Sequence, residues 1–258
     1  MTELISGQGA ICCLAFFFAG VVDSICGGGG LITIPAMLAA GIPVRFITGT
    51  NQCAAWAGTG VAAFEYVKSG NVHMRSALIT LPFAVTGALL GAKLNLMVPD
   101  HYLKVFMLVS VPVIAFFVFT NKKLGEEDHY DENSSASVIV FSALIGFVLG
   151  GYQGFYGPGC GMFFMLAYAV FLKMSLVRAT GDTRFVIVVS SAVSVLIYAF
   201  SGAVLWKLAF AATIFNIAGS YLGARLAIRN GSKVIRPIMI VVVILLMIKL
   251  VFDMAGAQ

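Results

Sequence analysis

Two short stretches hold the residue types that could recognise a charged solute inside an otherwise apolar chain. The first reads Asp23-Ser24-Ile25-Cys26-Gly27-Gly28-Gly29-Gly30, the second Gln153-Gly154-Phe155-Tyr156-Gly157-Pro158-Gly159-Cys160-Gly161. Glycine costs about 1 kcal/mol per residue in a helix relative to alanine, and Pro158 has no N–H to donate, so a helix has to stop in each stretch. New helices are predicted to begin near Leu31 and Met162. The first amides of a helix lack an intrahelical partner and sit at the positive end of its dipole. With no side chain at Gly27, Gly28, Gly29, Gly30, Gly157, Gly159 or Gly161, an anion can approach such amides closely. The competing explanation is that these glycines only let helices pack tightly, which suits spaced glycines better than four in a row.

Polar side chains recur at a fixed distance after each break: Thr180-Gly181-Asp182-Thr183-Arg184 corresponds to Thr48-Gly49-Thr50-Asn51-Gln52. Arg184 has the planar fork that grips an oxyanion through two parallel hydrogen bonds. Thr50, Asn51, Gln52 and Thr183 can donate to the remaining oxygens, and Gln153 and Tyr156 can line the second break. Ionisable groups within a span are costly and mark function by default, so Asp23 and Asp182 are candidates for ion or proton coupling. Asp23 has a second candidate role, holding the glycine amides in place. For Asp23, Asp182 and Arg184 the alternative is a place at the lipid interface, with Arg184 snorkelling to water. Glu65 is assigned to the interface, Asn216 to an interhelical hydrogen bond, and His73, His101 and His129 to solvated loops; Trp56 and Trp206 are candidates for a site aromatic and an interface anchor. The parts of an enzyme are missing. No histidine falls in a predicted span, there is no HExxH, and neither glycine run ends in the Lys-Ser/Thr of a phosphate loop. Cys12, Cys13, Cys26, Cys53 and Cys160 form no CxxC pair, so no metal, disulfide framework or cofactor is expected.

The elements that must position these residues are membrane spans. The 258 residues are 60% hydrophobic and only 10% charged, with a mean hydropathy of +0.99, too few polar groups to cover a soluble surface. Charge-free runs at 4–22, 24–44, 46–64, 76–92, 105–121, 133–172, 185–206 and 208–224 reach or approach the ~20 residues that cross a bilayer, and 234–251 adds a last span. The net charge of +5 fits loops facing an anionic leaflet rather than nucleic acid. No cleavable leader is expected, because Glu3 and no basic residue precedes the first apolar run.

The chain also repeats itself at an offset of 132 residues. Thr48-Gly49 matches Thr180-Gly181, Tyr66 matches Tyr198, Ser69-Gly70 matches Ser201-Gly202, and Gly91-Ala92 matches Gly223-Ala224. The predicted architecture is an all-α polytopic membrane protein with two repeats, 1–121 and 136–258, joined by a polar linker at 122–135. Each repeat has a glycine-broken segment followed by three spans, near 46–67, 74–97 and 101–121, then 177–200, 204–228 and 234–253. A segment that turns back at its break makes the repeats inverted; a bent crossing makes them parallel. Inversion places ten basic residues on one side and five on the other, which the positive-inside rule favours, with both termini outside. The spacing of Gly87/Gly91 and Gly219/Gly223 suits helix packing, and such faces would also allow a homodimer.

The order of these motifs resembles the TauE/SafE family of sulfite and organosulfonate exporters: Gly27–Gly30 followed by Leu31-Ile32-Thr33-Ile34-Pro35, then Thr48-Gly49-Thr50, then Gly87-Ala88-Leu89-Leu90-Gly91-Ala92, with the second half repeating the series through Gly157-Pro158-Gly159-Cys160-Gly161, Ala179-Thr180-Gly181 and Gly219-Ser220-Tyr221-Leu222-Gly223-Ala224-Arg225. The likeness runs from about residue 7 to 252; Asp182-Thr183-Arg184 departs from the small, polar stretch expected there. The resemblance implies a secondary transporter of the bacterial or archaeal inner membrane. It would export sulfite, or a C2 sulfonate such as sulfoacetate or isethionate, driven by an ion or proton gradient. The alternatives are a passive anion channel and a transporter of another small organic anion.

Overall fold

Long apolar runs become helices because lipid offers the backbone no hydrogen-bonding partner outside the helix itself. The computed structural model describes residues 8–99, 128, 130, 135–157 and 159–255. Among these the chain forms nine helices and no strand: α1 (Gln8–Cys26), α2 (Gly30–Ala39), α3 (Val44–Lys68), α4 (Met74–Met97), α5 (Ser135–Phe155), α6 (Cys160–Phe171), α7 (Leu176–Phe200), α8 (Trp206–Asn230) and α9 (Ser232–Ala255). The span predicted at 101–121, most of the linker at 122–135, Pro158, His101 and His129 lie outside the described residues. Among the described residues three helices are long and apolar enough to cross a membrane, Met74–Met97, Ser137–Phe155 and Leu176–Phe200. Helices α3 and α8 are 25 residues each but carry more polar residues, so fewer helices meet that test than the charge-free runs suggested.

Both breaks are places where the chain reverses. Gly27 and Gly157 adopt positive φ angles, 85° and 90°, which only glycine adopts without strain. After Gly27, α2 runs back along α1, so that the Cys12 thiol lies 4.0 Å from the Ala36 carbonyl oxygen. After Gly157, α6 runs back along α5, with the rings of Phe141 and Phe171 stacked at 5.2 Å. The matched Ser-Gly pairs close α3 and α7 with the same turn bond, Asn71 N–H to Tyr66 O at 3.0 Å and Ala203 N–H to Tyr198 O at 3.1 Å.

Helices α3 and α7 lie antiparallel at the centre. A methyl group on Gly49 would strike the Ala203 carbonyl, and one on Gly181 the Asn71 carbonyl; midway, the Trp56 indole N–H donates to Val188 O at 2.8 Å. The halves interleave around this pair, because α1 packs most extensively on α8 and α5 on α4. Close approach is possible there because Gly219 and Gly223 face the Phe17 and Val21 backbone, while Gly87 and Gly91 face Phe147, Gly151 and Phe155. These glycine faces are occupied within the molecule. Outward, Phe64, Phe210, Ile214 and Leu222 are exposed, as lipid-facing side chains are.

Candidate functional site

The two breaks meet. A side chain at Gly27 would collide with the backbone of Gly161 and Met162. Beside this contact is a cavity of about 70 Å³, several times the ~10–15 Å³ that one water needs. Its wall includes Asp23, Gly27, Gly29 and Gly30 from the first break, Gln153, Gly157, Gly159 and Gly161 from the second, and Asn51, Gln52 and Arg184 from α3 and α7. Both breaks and both polar clusters are therefore brought to one place.

Arg184 is 1% exposed, which removes the interfacial alternative for this residue. Its Nη1 donates to Asp23 Oδ2 at 2.6 Å, while Nε and Nη2 have no partner. Those two atoms form the edge of the guanidinium that suits bidentate contact with an oxyanion. Asp23 also accepts the Gly29 N–H through Oδ1 at 3.1 Å, and the Gly27 N–H through its carbonyl at 2.7 Å. It thus holds the break as well as the arginine.

A second pair on the cavity wall, Gln52 and Gln153, carries no charge. Gln52 Nε2 donates to Gln153 O at 2.8 Å and the Ser190 hydroxyl to Gln153 Oε1 at 2.7 Å. Gln52 thus holds the Gln153 backbone and Ser190 its side-chain carbonyl, and the side-chain Nε2 is left without a partner. Three buried donors, two on Arg184 and one on Gln153, are unpaired, and both residues line the cavity. Each buried hydrogen bond left unmade costs about 1–3 kcal/mol, so these donors suit a ligand rich in acceptors.

The helix amides contribute less than the glycine pattern suggested. Asp23 takes the Gly29 N–H. Leu31, Ile32 and Thr33 donate back to Gly28 or Gly29 carbonyls, and Cys160, Met162 and Phe163 to those of Gly157 or Gly159. Tight turns satisfy locally what an abrupt helix start would leave open.

Five candidates stand outside the cavity wall. Gly28 packs against Met162 and Val242. Thr50 accepts the Leu205 N–H at 2.9 Å, Thr183 bonds Ala179 O in its own helix at 2.7 Å, and Tyr156 is buried in an apolar cluster with Phe16 and Ile47. Asp182 accepts the His73 N–H at 2.6 Å and the Ser76 hydroxyl, tying the start of α7 to the α3–α4 turn. His73 is not a freely solvated residue. Its side chain is 11% exposed, 3.3 Å from Asp128 and 3.1 Å from Arg178. Glu65 pairs with Arg225 at 3.2 Å, and Asn216 makes its interhelical bond to Phe16 O at 3.1 Å. Asn216 and Trp56 both line the cavity.

Sequence reasoning passed over Thr33, Thr59 and Ser191 on the wall and Ser190 behind it. The Thr33 hydroxyl donates to Asn51 Oδ1 at 2.5 Å, fixing that amide. A signal was present in the helical period: Gln52, Ala55 and Thr59, like Arg184, Ile187 and Ser191, follow i, i+3, i+7 spacing on one face. Among the described residues no group of three or more His, Cys, Asp or Glu converges as a metal site would. Unpaired guanidinium and amide donors of this kind suit an anion.

The sequence model described as "Sulfite exporter TauE/SafE" matches residues 12–250. A probable membrane transporter protein of Sinorhizobium sp, ORF9, is 36% identical over 93% of this chain and 91% of its own. One from Haemophilus influenzae is 31% identical over 92% of each chain, and YfcA of Escherichia coli K12, also a probable membrane transporter protein, is 30% identical over 93% and 88%. No solved structure matches the chain.

Proposed function

The chain belongs to the sulfite exporter TauE/SafE family of multi-pass membrane transporters, and on that premise we propose that it is a gradient-driven exporter of a small sulfur oxyanion, sulfite or a C2 sulfonate, across the bacterial or archaeal inner membrane. The observation that carries this reading is the cavity on which Arg184 Nε, Arg184 Nη2 and Gln153 Nε2 all lack a partner. Arg184 takes two oxygens of the anion and Gln153 a third, with Asp23 neutralising the arginine while the cavity is empty. The repeats are inverted, with both termini outside. Support comes from the antiparallel α3–α7 pair, the chain reversal at each break, and contacts that recur at the repeat offset (Gly49 on Ala203, Gly181 on Asn71). Paired breaks at a repeat interface are where such transporters hold substrate, and rocking of the repeats about the α3–α7 pair gives access to each side in turn.

Proteoliposomes test this. Sulfite or isethionate trapped inside should leave faster than from protein-free vesicles, and an external unlabelled anion should drive counterflow of a labelled one. Loss of either anion without counterflow would make the protein a channel; movement of neither would end the substrate assignment.

A further inference from the structure

Asp23 faces the cavity with its side chain 21% exposed. A carboxylate offers about four lone-pair sites, and the bonds from Gly29 N–H and Arg184 Nη1 use two of them. Among the described residues Arg184 is the one cation paired with Asp23, and its neighbouring titratable groups are the buried thiols of Cys26 and Cys160.

A fully ionised anion held by the free edge of Arg184 has a second negative charge nearby, on the Asp23 carboxylate of the same cavity wall. Like charges so placed oppose binding. An anion that carries one O–H turns the same carboxylate into a partner, donating to Asp23 while its bare oxygens accept from Arg184 and Gln153. Charge favours the same answer. Arg184 and Asp23 cancel, so a singly charged ligand leaves the buried cavity with one net charge and a dianion leaves two, in surroundings where unpaired charge is costly.

We propose that Asp23 is a specificity residue that accepts a hydrogen bond from the substrate, so that the cavity selects a singly charged oxyanion still bearing an acidic O–H, hydrogen sulfite in its O–H form, over sulfite dianion or a sulfonate. This rests on the anion-site reading above and narrows it.

The test uses two tetrahedral probes of similar size and equal charge, only one of which carries an O–H: methylphosphonate, at a pH where it keeps one proton, and methanesulfonate. Each is titrated at that same pH against purified wild-type protein, with thermal stabilisation reporting binding. Methylphosphonate should bind about tenfold more tightly or better, the worth of one hydrogen bond to a charged group. Equal affinity, or a preference for methanesulfonate, overturns the role of Asp23 and leaves the anion site standing. Stabilisation by neither removes the anion site and this inference with it. In a folded Asp23→Asn variant the preference should fall to about one; its persistence would also overturn the proposal.

Discussion

Arg184 uses one end of its guanidinium on Asp23 and keeps the other unpartnered at the cavity. Two charge-assisted hydrogen bonds to an anion are worth roughly 1.5–3 kcal/mol each, so Arg184→Gln should weaken anion binding by at least about a hundredfold in a thermal-shift titration. Gln153 gives a contrasting case. Its Nε2 has no partner in the empty protein, and Ser190 retains Val186 O as an acceptor at 2.9 Å. Gln153→Leu should therefore leave the unliganded melting temperature nearly unchanged while reducing anion affinity about tenfold. The side chains with usable chemistry were visible in the sequence because arginine, aspartate and glutamine are rare in spans. Which of their atoms stay free was not visible, since that depends on Ser190 and Gly29, remote from their partners in sequence or separated by the break.

At the scale of elements, a turn and a close contact coincide at Gly27. It has a φ of +85°, and a Cβ there would collide with the Gly161 backbone. Gly41 has a φ of +74° with nothing within 4 Å of the same position. Left-handed backbone costs a non-glycine residue about 1–2 kcal/mol. Gly41→Ala should stay near that figure, whereas Gly27→Ala should exceed it clearly and lower anion affinity as the breaks are forced apart. The comparison of melting temperatures and titrations for the two variants separates backbone strain from break-to-break contact. Helix positions were legible: α4 coincides with the predicted 74–97, and α7 begins one residue before the predicted 177–200. Hydropathy and glycine punctuation are local properties and locate such ends well.

At the scale of the whole molecule, the antiparallel α3–α7 pair puts Ser69 and Ser201, matched residues of the two repeats, at opposite ends of the bundle. Both are exposed. In intact cells a membrane-impermeant thiol reagent should label Ser201→Cys and spare Ser69→Cys until the membrane is opened. Labelling of both from outside, or of neither, would contradict inverted repeats with the termini outside. Background labelling should be low, as four of the five native cysteines are buried and Cys53 is partly so. The repeat offset was legible in matched Ser-Gly and Thr-Gly pairs, but the interleaving of α1 with α8 and α5 with α4 was not. A self-comparison reports which residues correspond, not which of them touch.

The amino-acid sequence alone determined that the chain lives in lipid, where its helices stop, and that polar residues follow two glycine breaks, because each follows from composition or spacing along a continuous stretch. The tertiary structure decided which polar groups remain available. It diverted Asp182 to His73 and Ser76, closed most of the helix amides onto nearby turns, and gathered Arg184, Asp23 and Gln153 around one cavity. Hydrogen-bond capacity is finite and is shared between segments far apart in sequence, so what a residue has left for a substrate is known only when all its neighbours are in place.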